Sequence, residues 1–383
     1  MRSVNNSVFS ASLASLLIVV LLASILLISG CVNPQGEADI PEANNLSSGN
    51  EADQLLTVAV AENLEVPWDL DFLPDGSIIL TERPGNIRLI DTEQGLLAEP
   101  LATIDEVVPT GEGGLLGIAA HPDFENNSFI YIYYTYNEEG DLYNKVVRFS
   151  LQDREFTEDQ VIIDAIPASG IHNGGRIRFG PDGLLYITTG DAGVPSFAQD
   201  TGSLAGKILR TTDVGSIPED NPFGDSPVYT FGHRNPQGLA WDEQGRLWAT
   251  EHGSRAHDEL NLIEAGNNYG WPEIIGYETA DGMESPVIHS GSNTWAPSGA
   301  AYHNDSVFFA GLRGQSLYQA SLDPGADPVD VELQSHFNGE FGRLRNVVTG
   351  PDGNLYILTS NRDGRGNPVS SDDRMIRVDV SKL

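Results

Sequence analysis

The sequence predicts an all-β fold, a six-bladed β-propeller preceded by a lipoprotein signal and a flexible tether, and three observations carry that expectation. One phrase recurs six times: an apolar or aromatic residue, a Pro-Asp-Gly or equivalent turn, then an alternating strand ending in Thr or Gly. The copies lie roughly 50 to 60 residues apart, the length of a four-stranded blade with a variable loop. No segment carries a sustained helical period, which argues against an α/β fold.

Residues 1–30 read as a signal peptide. Arg2 supplies a minimal positive charge, an apolar run follows from Leu13 to Ile28, and the run ends in Ile28-Ser29-Gly30-Cys31. A branched apolar residue, two small ones and a cysteine look like a lipobox, in which the cysteine is diacylated and becomes the mature N-terminus. Cys31 is the only cysteine of 383 residues, so no disulfide can form within the chain. Residues 31–53 are rich in Asn, Ser, Pro, Gly, Glu and Ala and read as a flexible acidic tether. The expected location is extracytoplasmic, with membrane contact only through lipid on Cys31; an uncleaved anchor helix would give the same side of the membrane.

Residues 54–383 hold the repeat. It begins with Phe72-Leu73-Pro74-Asp75-Gly76 before Ile78-Ile79-Leu80-Thr81, then His121-Pro122-Asp123-Phe124 before Phe129 to Tyr134. Next come Phe179-Gly180-Pro181-Asp182-Gly183 with Leu185 to Thr188, and Trp241-Asp242-Glu243-Gln244-Gly245 with Leu247 to Thr250. The fifth copy, Tyr302-His303-Asn304-Asp305, is degenerate, and Gly350-Pro351-Asp352-Gly353 with Leu355 to Thr359 is the sixth. Proline presets each turn and glycine accepts positive φ, so each copy is a tight turn feeding a strand. Ring closure is expected to pair a strand at about Leu55 to Ala61 with Met375 to Val380.

The formal charge is −34, from 55 acidic against 21 basic residues, of which three are lysines. Such a surface repels nucleic acid and anionic headgroups, so neither is an expected partner. Against that background, Arg234, Arg313, Arg343 and Arg345 fall at comparable loop positions and imply a polyanionic ligand held by bidentate contacts. They could instead bridge acidic loops between blades. His172, in Ile171-His172-Asn173-Gly174-Gly175-Arg176, can serve as a general base if Asp191 orients its ring. The carbonyls of Gly253 and Ser254, with Glu259 and Tyr269 nearby, offer hard oxygens suited to calcium; Glu259 and Tyr269 could equally form a hydrogen-bond network.

From about Leu64 onward the chain resembles the soluble pyrroloquinoline-quinone-dependent aldose sugar dehydrogenases and glucose dehydrogenases. The matching phrases are Val66-Pro67-Trp68-Asp69, Gly111 to Gly117, His121-Pro122-Asp123-Phe124, Gly232-His233-Arg234-Asn235-Pro236-Gln237-Gly238, Asp258 to Ile263, Asn268-Tyr269-Gly270-Trp271-Pro272 and Arg343-Leu344-Arg345. The resemblance implies His172 as the proton-abstracting base and Asp191 as its orienting partner. It implies Arg234, Asn235, Gln237, Arg343 and Arg345 as cofactor contacts, with Arg313 where the family usually has lysine. It implies Gly253 and Ser254 carbonyls on the calcium that touches the cofactor, and Glu259 with Tyr269 as a further calcium position. Two residues depart from the pattern. Glu112 replaces a glutamine and sets a carboxylate beside an anionic cofactor, and Ile171 replaces an acid.

The activity so implied is oxidation of an aldose at its anomeric carbon to a lactone, with hydride passing to pyrroloquinoline quinone and electrons leaving to an external acceptor. Two other classes remain compatible with a propeller: a calcium-dependent lactonase, which needs Asn, Asp and Glu side chains around a channel metal, and a non-catalytic binder of carbohydrate or protein.

Overall fold

Turn chemistry repeats in space as it does in sequence. The turn glycines Gly76, Gly183, Gly245 and Gly353 all have φ between 73° and 84°, a region that penalises any residue with a Cβ. The degenerate fifth copy makes the same turn with Asn304 and Asp305 at φ 44° and 55°, residue types that tolerate the left-handed region. The second copy inserts one turn of helix, Phe124–Asn127, which ends at Ser128 with φ 55°. The structure is a computed structural model that describes residues 56–323, 325 and 329–383. Cys31 and the tether lie outside the described residues.

Each turn joins the first and second strands of a blade. The hairpins pair Pro67–Phe72 with Ile78–Glu82, Leu115–Ala120 with Phe129–Glu138, and Ile177–Phe179 with Leu185–Thr189. The other three pair Pro236–Trp241 with Leu247–Glu251, Pro297–His303 with Ser306–Gly311, and Leu344–Thr349 with Leu355–Thr359. Two more antiparallel strands complete each of blades two to five, and blade one adds a third short edge segment. Blade six is completed from the other end of the chain. Thr57–Ala61 pairs antiparallel with Met375–Val378, Thr57 opposite Val378, which closes the ring as the sequence leads one to expect.

The innermost strands neighbour one another around the ring, except that the first strand of blade four meets the second of blade three, and the first blade meets the sixth. The second strands of blades one, three, four, five and six are buried along their whole length, consistent with their apolar runs. At the centre of the ring sits Asp69, fully buried. Its carboxylate accepts hydrogen bonds from Arg178 at 2.7 and 2.8 Å, from Asn346 Nδ2 at 2.7 Å and from the Ile118 N–H at 3.1 Å. Arg176 pairs with the same carboxylate. Its guanidinium lies 4.3 Å from the Trp68 ring centroid, and that of Arg345 lies 5.8 Å away. One carboxylate thus ties together blades one, two, three and six. The charges of Arg176 and Arg178 overcome the cost of burial and hold the Asp69 carboxyl below its usual range.

Candidate active site

Antiparallel pairing dictates where the loops go. The segment entering a first strand and the segment leaving a second strand emerge at the same end of every blade, opposite the repeated turns. That end carries a cavity of about 440 Å³ lined by Glu112, His172, Arg234, Asn235, His252–Asp258, Thr294, Ala296, Leu312, Arg313, Arg343 and Arg365, apart from Ala256 and His257. The volume lies within the roughly 300–1,000 Å³ typical of small-molecule sites.

His172 enters blade three and Asp191 leaves its second strand. The two meet at 2.7 Å between Nδ1 and Oδ1. Asp191 is fully buried, and it also accepts the Gly193 N–H at 2.7 Å and Trp271 Nε1 at 2.8 Å. A carboxylate can only accept, so the imidazole carries its proton on Nδ1 and keeps the Nε2 lone pair free. The approach depends on Gly190, where a Cβ would stand 2.0 Å from the His172 carbonyl oxygen. Trp271 belongs to the Asn268 to Pro272 segment, which the sequence marked without a role for this side chain. It also lies under Arg234, whose guanidinium is 5.4 Å from its ring.

The arginines fall into two groups. Arg234, Arg313 and Arg343 line the cavity, and Arg343 is held by Asp363 Oδ2 at 2.7 Å. Arg345 is buried behind them with Gln237, whose Oε1 accepts from its Nη1 at 3.0 Å. Gln237 therefore holds an arginine and does not line the cavity. Asn235 does line it, and its Oδ1 accepts the Gly174 N–H at 3.0 Å, fixing the turn beyond His172. Burial lowers the Arg345 guanidinium to about 9, against the pull of Asp363. Its Nε has no hydrogen-bond partner among the described residues, nor has the buried Nε2 of His252. The His252 imidazole, pushed down by burial to about 4, is neutral at physiological pH.

The expected calcium oxygens divide in the same way. Gly253 and Ser254 line the cavity, and neither carbonyl accepts a hydrogen bond among the described residues. Gly253 is required there, because a Cβ would lie 2.0 Å from the Ala256 carbonyl oxygen. Asp258 braces this loop by accepting the Gly253 N–H at 2.9 Å and those of Trp295 and Ala296 at 2.7 and 2.9 Å. Glu259 and Tyr269 instead flank a neighbouring void of about 10 Å³. The Tyr269 hydroxyl is committed, donating to the Leu262 carbonyl at 2.7 Å and accepting the Glu264 N–H at 2.8 Å, so its side chain is not a free ligand. Burial and the nearby Glu251 raise the Glu259 carboxyl. Among the described residues no three His, Cys, Asp or Glu side chains gather to hold a metal ion.

The Glu112 carboxylate, which the sequence sets beside an anionic cofactor, is already partnered. Its Oε2 accepts the His172 main-chain N–H at 3.0 Å and its Oε1 receives Arg365 Nη1 at 2.9 Å. Burial alone would raise this carboxyl; the His172 N–H, the charge His252 takes on in acid and the Arg365 guanidinium outweigh it and bring it to about 2. Ile171 is 43% exposed at the rim and takes no part in the polar network through its side chain. Sequence reasoning missed His252, Arg255, Asp258, Asp363 and Arg365, and Arg83, whose charge acts on Asp363 and Glu112. Their signal was positional: each follows the second strand of blade one, four or six, as Asp191 follows that of blade three.

Residues 64–370 match the family described as Glucose / Sorbosone dehydrogenase. The chain is 33% identical over 342 residues to the aldose sugar dehydrogenase YliI of Escherichia coli, covering 81% of this chain and 91% of that protein. It is 35% identical over 297 residues to quinoprotein glucose dehydrogenase B of Acinetobacter calcoaceticus, covering 68% of this chain and 62% of that protein. Among solved structures it is similar to the PQQ-bound form of aldose sugar dehydrogenase from Streptomyces coelicolor, with a TM-score of 0.79 and 41% identity over 84% of this chain and 96% of that one.

Proposed function

Because this chain belongs to the glucose/sorbosone dehydrogenase family, we propose that its arginine-lined cavity binds pyrroloquinoline quinone with calcium and oxidises aldose sugars at the anomeric carbon to lactones. The chain is an oxidoreductase of the quinoprotein sugar dehydrogenase type. The observation that supports the residue roles is the His172–Asp191 pair set at the edge of a cavity walled by Arg234, Arg313 and Arg343.

The residues present fit the cofactor. A planar ring system with three carboxylates needs several cations, and planar guanidinium groups meet carboxylates bidentately. The unpartnered Nε2 of His252, which lines the cavity, is a buried polar atom of the kind that a bound polar ligand satisfies. Calcium would rest on the carbonyl oxygens of Gly253 and Ser254, hard donors with no competing hydrogen bond among the described residues.

When bound, pyrroloquinoline quinone supplies the acceptor for the hydrogen and electron pair leaving the anomeric carbon. The protein's own work is proton removal and orientation. His172 Nε2 takes the proton of the anomeric hydroxyl, and Asp191 stabilises the imidazolium so formed without moving from its three hydrogen bonds. Arg234 brings positive charge to the cavity from above Trp271, and its Nη1 is anchored on the His252 carbonyl at 3.2 Å. Fixed charge of this kind stabilises the negative charge that grows during reaction.

The test is an absorbance and calorimetric titration of the purified protein with the quinone, with and without calcium, followed by aldose turnover with an artificial acceptor. Stoichiometric binding that requires calcium, and aldose-dependent reduction of the acceptor, are expected. No heat beyond dilution in the presence of calcium would replace the enzyme with a binder. The same proposal holds the propeller outside the cytoplasm through lipid on Cys31, passing electrons to an external acceptor.

A further inference from the structure

The proposed chemistry depends on where His172 points, and its backbone does not favour that position. Its φ is 55°, a left-handed conformation that a residue with a Cβ keeps only when its surroundings over-determine it. Those surroundings are specific. The His172 carbonyl accepts the Ala192 N–H at 3.1 Å, and the His172 N–H is donated to Glu112 Oε2 at 3.0 Å. The main-chain N–H of Glu112 is donated to the Gly170 carbonyl at 2.9 Å. Residue 112 thus grips the turn before His172 with its backbone and His172 itself with its side chain.

The second oxygen of Glu112 reaches across the channel mouth. Arg365 Nη1 meets Oε1 at 2.9 Å, from a loop of blade six that lies 253 positions further along the chain. The loop is itself fixed, since the Arg365 N–H is donated to Asp363 Oδ1 at 2.8 Å while Asp363 Oδ2 holds Arg343. A glutamine at position 112 could still accept the His172 N–H. It could not hold an arginine by charge, so the tie to blade six is what the carboxylate adds.

We infer that Glu112 and Arg365 form a positioning pair, which fixes the His172 backbone from the far side of the cavity and neutralises the carboxylate that does so. The pair rests on the reading of His172 as the base. Asp191 from blade three meets the imidazole; the charged and titratable groups around it and the pair are Glu112 from the loop entering blade two, Arg343 and Arg365 from blade six, Arg234 and His252 from blade four, and Arg83 from blade one. Loss of Arg365 takes away the guanidinium hydrogen-bonded to Glu112 and leaves Arg83, Arg234 and Arg345 to act on that carboxylate only through space.

The test titrates the His172 ring by NMR in ¹⁵N-histidine-labelled full-length apoprotein, with turnover of the quinone-loaded enzyme as a second readout. Arg365→Gln takes the hydrogen-bonded guanidinium off the carboxylate that touches the His172 main chain, and the net negative charge so added near the ring favours its charged form. The His172 midpoint should rise by about half a pH unit, the scale of one added charge a few ångströms away in a solvated cleft, and the acid limb of kcat/KM should rise with it. Arg365→Lys keeps the charge and should leave the midpoint in place. The double variant Glu112→Gln/Arg365→Gln should return the midpoint towards wild type, which separates a lost charge from a damaged fold. Glu112→Ala removes the acceptor and should lower kcat by roughly tenfold or more with little change in KM, whereas Glu112→Gln should lose only a few-fold. An unmoved midpoint in Arg365→Gln overturns the pair, as does wild-type kcat in Glu112→Ala. The ring titration needs neither cofactor nor sugar, so it decides the pair even if the wild type oxidises no aldose.

Discussion

At His172 one hydrogen bond sets the protonation state and another sets the direction. Asp191 holds the proton on Nδ1, so Nε2 is the only ring nitrogen able to take one from a substrate. His172→Ala removes that lone pair without touching the arginines. The variant should bind quinone with near-wild-type affinity and oxidise aldoses roughly 10²–10⁴-fold more slowly, measured as kcat beside a quinone titration; unchanged turnover would take His172 out of the mechanism. Glu112 makes a prediction about acid. Its carboxyl is brought from 4.5 down to about 2 by partners that exist only in the fold. Its contribution to stability is therefore fully present above about 4.5 and is lost as pH falls through about 2. Denaturant melts of wild type and Glu112→Gln should differ most above pH 4.5 and converge as pH approaches 2. A gap independent of pH would mean that the ion pair adds nothing to the fold.

At the scale of elements, the sequence exposes what repeats and hides what crosses. Turn glycines and apolar strands are local, so six blades and their order can be read from phrases such as Pro181-Asp182-Gly183. The His172–Asp191 pairing is nearly as legible, because the two residues lie 19 positions apart around one hairpin. The Glu112–Arg365 contact is not, since nothing local in Asp363-Gly364-Arg365 distinguishes it from a solvated loop. Residue type does not show how Tyr269 is used either: its hydroxyl is committed to its own loop, a bond that only the folded turn reveals. Closure of the ring is the element-scale feature with the clearest consequence. The strand Thr57–Ala61 completes blade six, and Ala61 and Leu64 pack with Leu70, Leu80, Leu358 and Met375. Removing residues 1–61 leaves Met375–Val378 as an exposed edge and opens that cluster. Such a chain should lose cooperative melting and aggregate, while removal of residues 1–53 alone should leave the melting temperature almost unchanged. Calorimetry of the two truncations checks this, and equal behaviour would show that the strand is dispensable.

Over the whole molecule, a formal charge of −34 coexists with positive charge gathered at one end of the channel. Self-repulsion at the surface keeps such a chain soluble, and the arginines face inward where a polyanion can meet them. If Cys31 carries lipid, the wild type should partition into membranes and Cys31→Ser should not, and intact mass should show a diacylated N-terminus rather than Met1. The ring itself depends on Asp69, whose partners come from residues as far as 109 and 277 positions away. Its place in Val66-Pro67-Trp68-Asp69 gives no hint of that, because the contacts exist only once the ring has closed. Two guanidinium groups, the buried Arg176 and the part-buried Arg178, meet on this single carboxylate, and Arg176 reaches on through its Nε to the Gln237 carbonyl at 2.9 Å in blade four. Asp69→Asn keeps the shape, removes the charge and strands Arg176 in the core, while the part-buried Arg178 keeps Asp71 nearby. Breaking a buried pair by deleting one partner typically costs about 3–5 kcal/mol, a large part of the stability of an ordinary domain. The denaturation midpoint of Asp69→Asn should therefore fall steeply with little change in slope. Because Arg176 and Arg345 share the Trp68 ring, quinone affinity should fall with it; a variant as stable as wild type would show that the packed strands close the ring without this carboxylate.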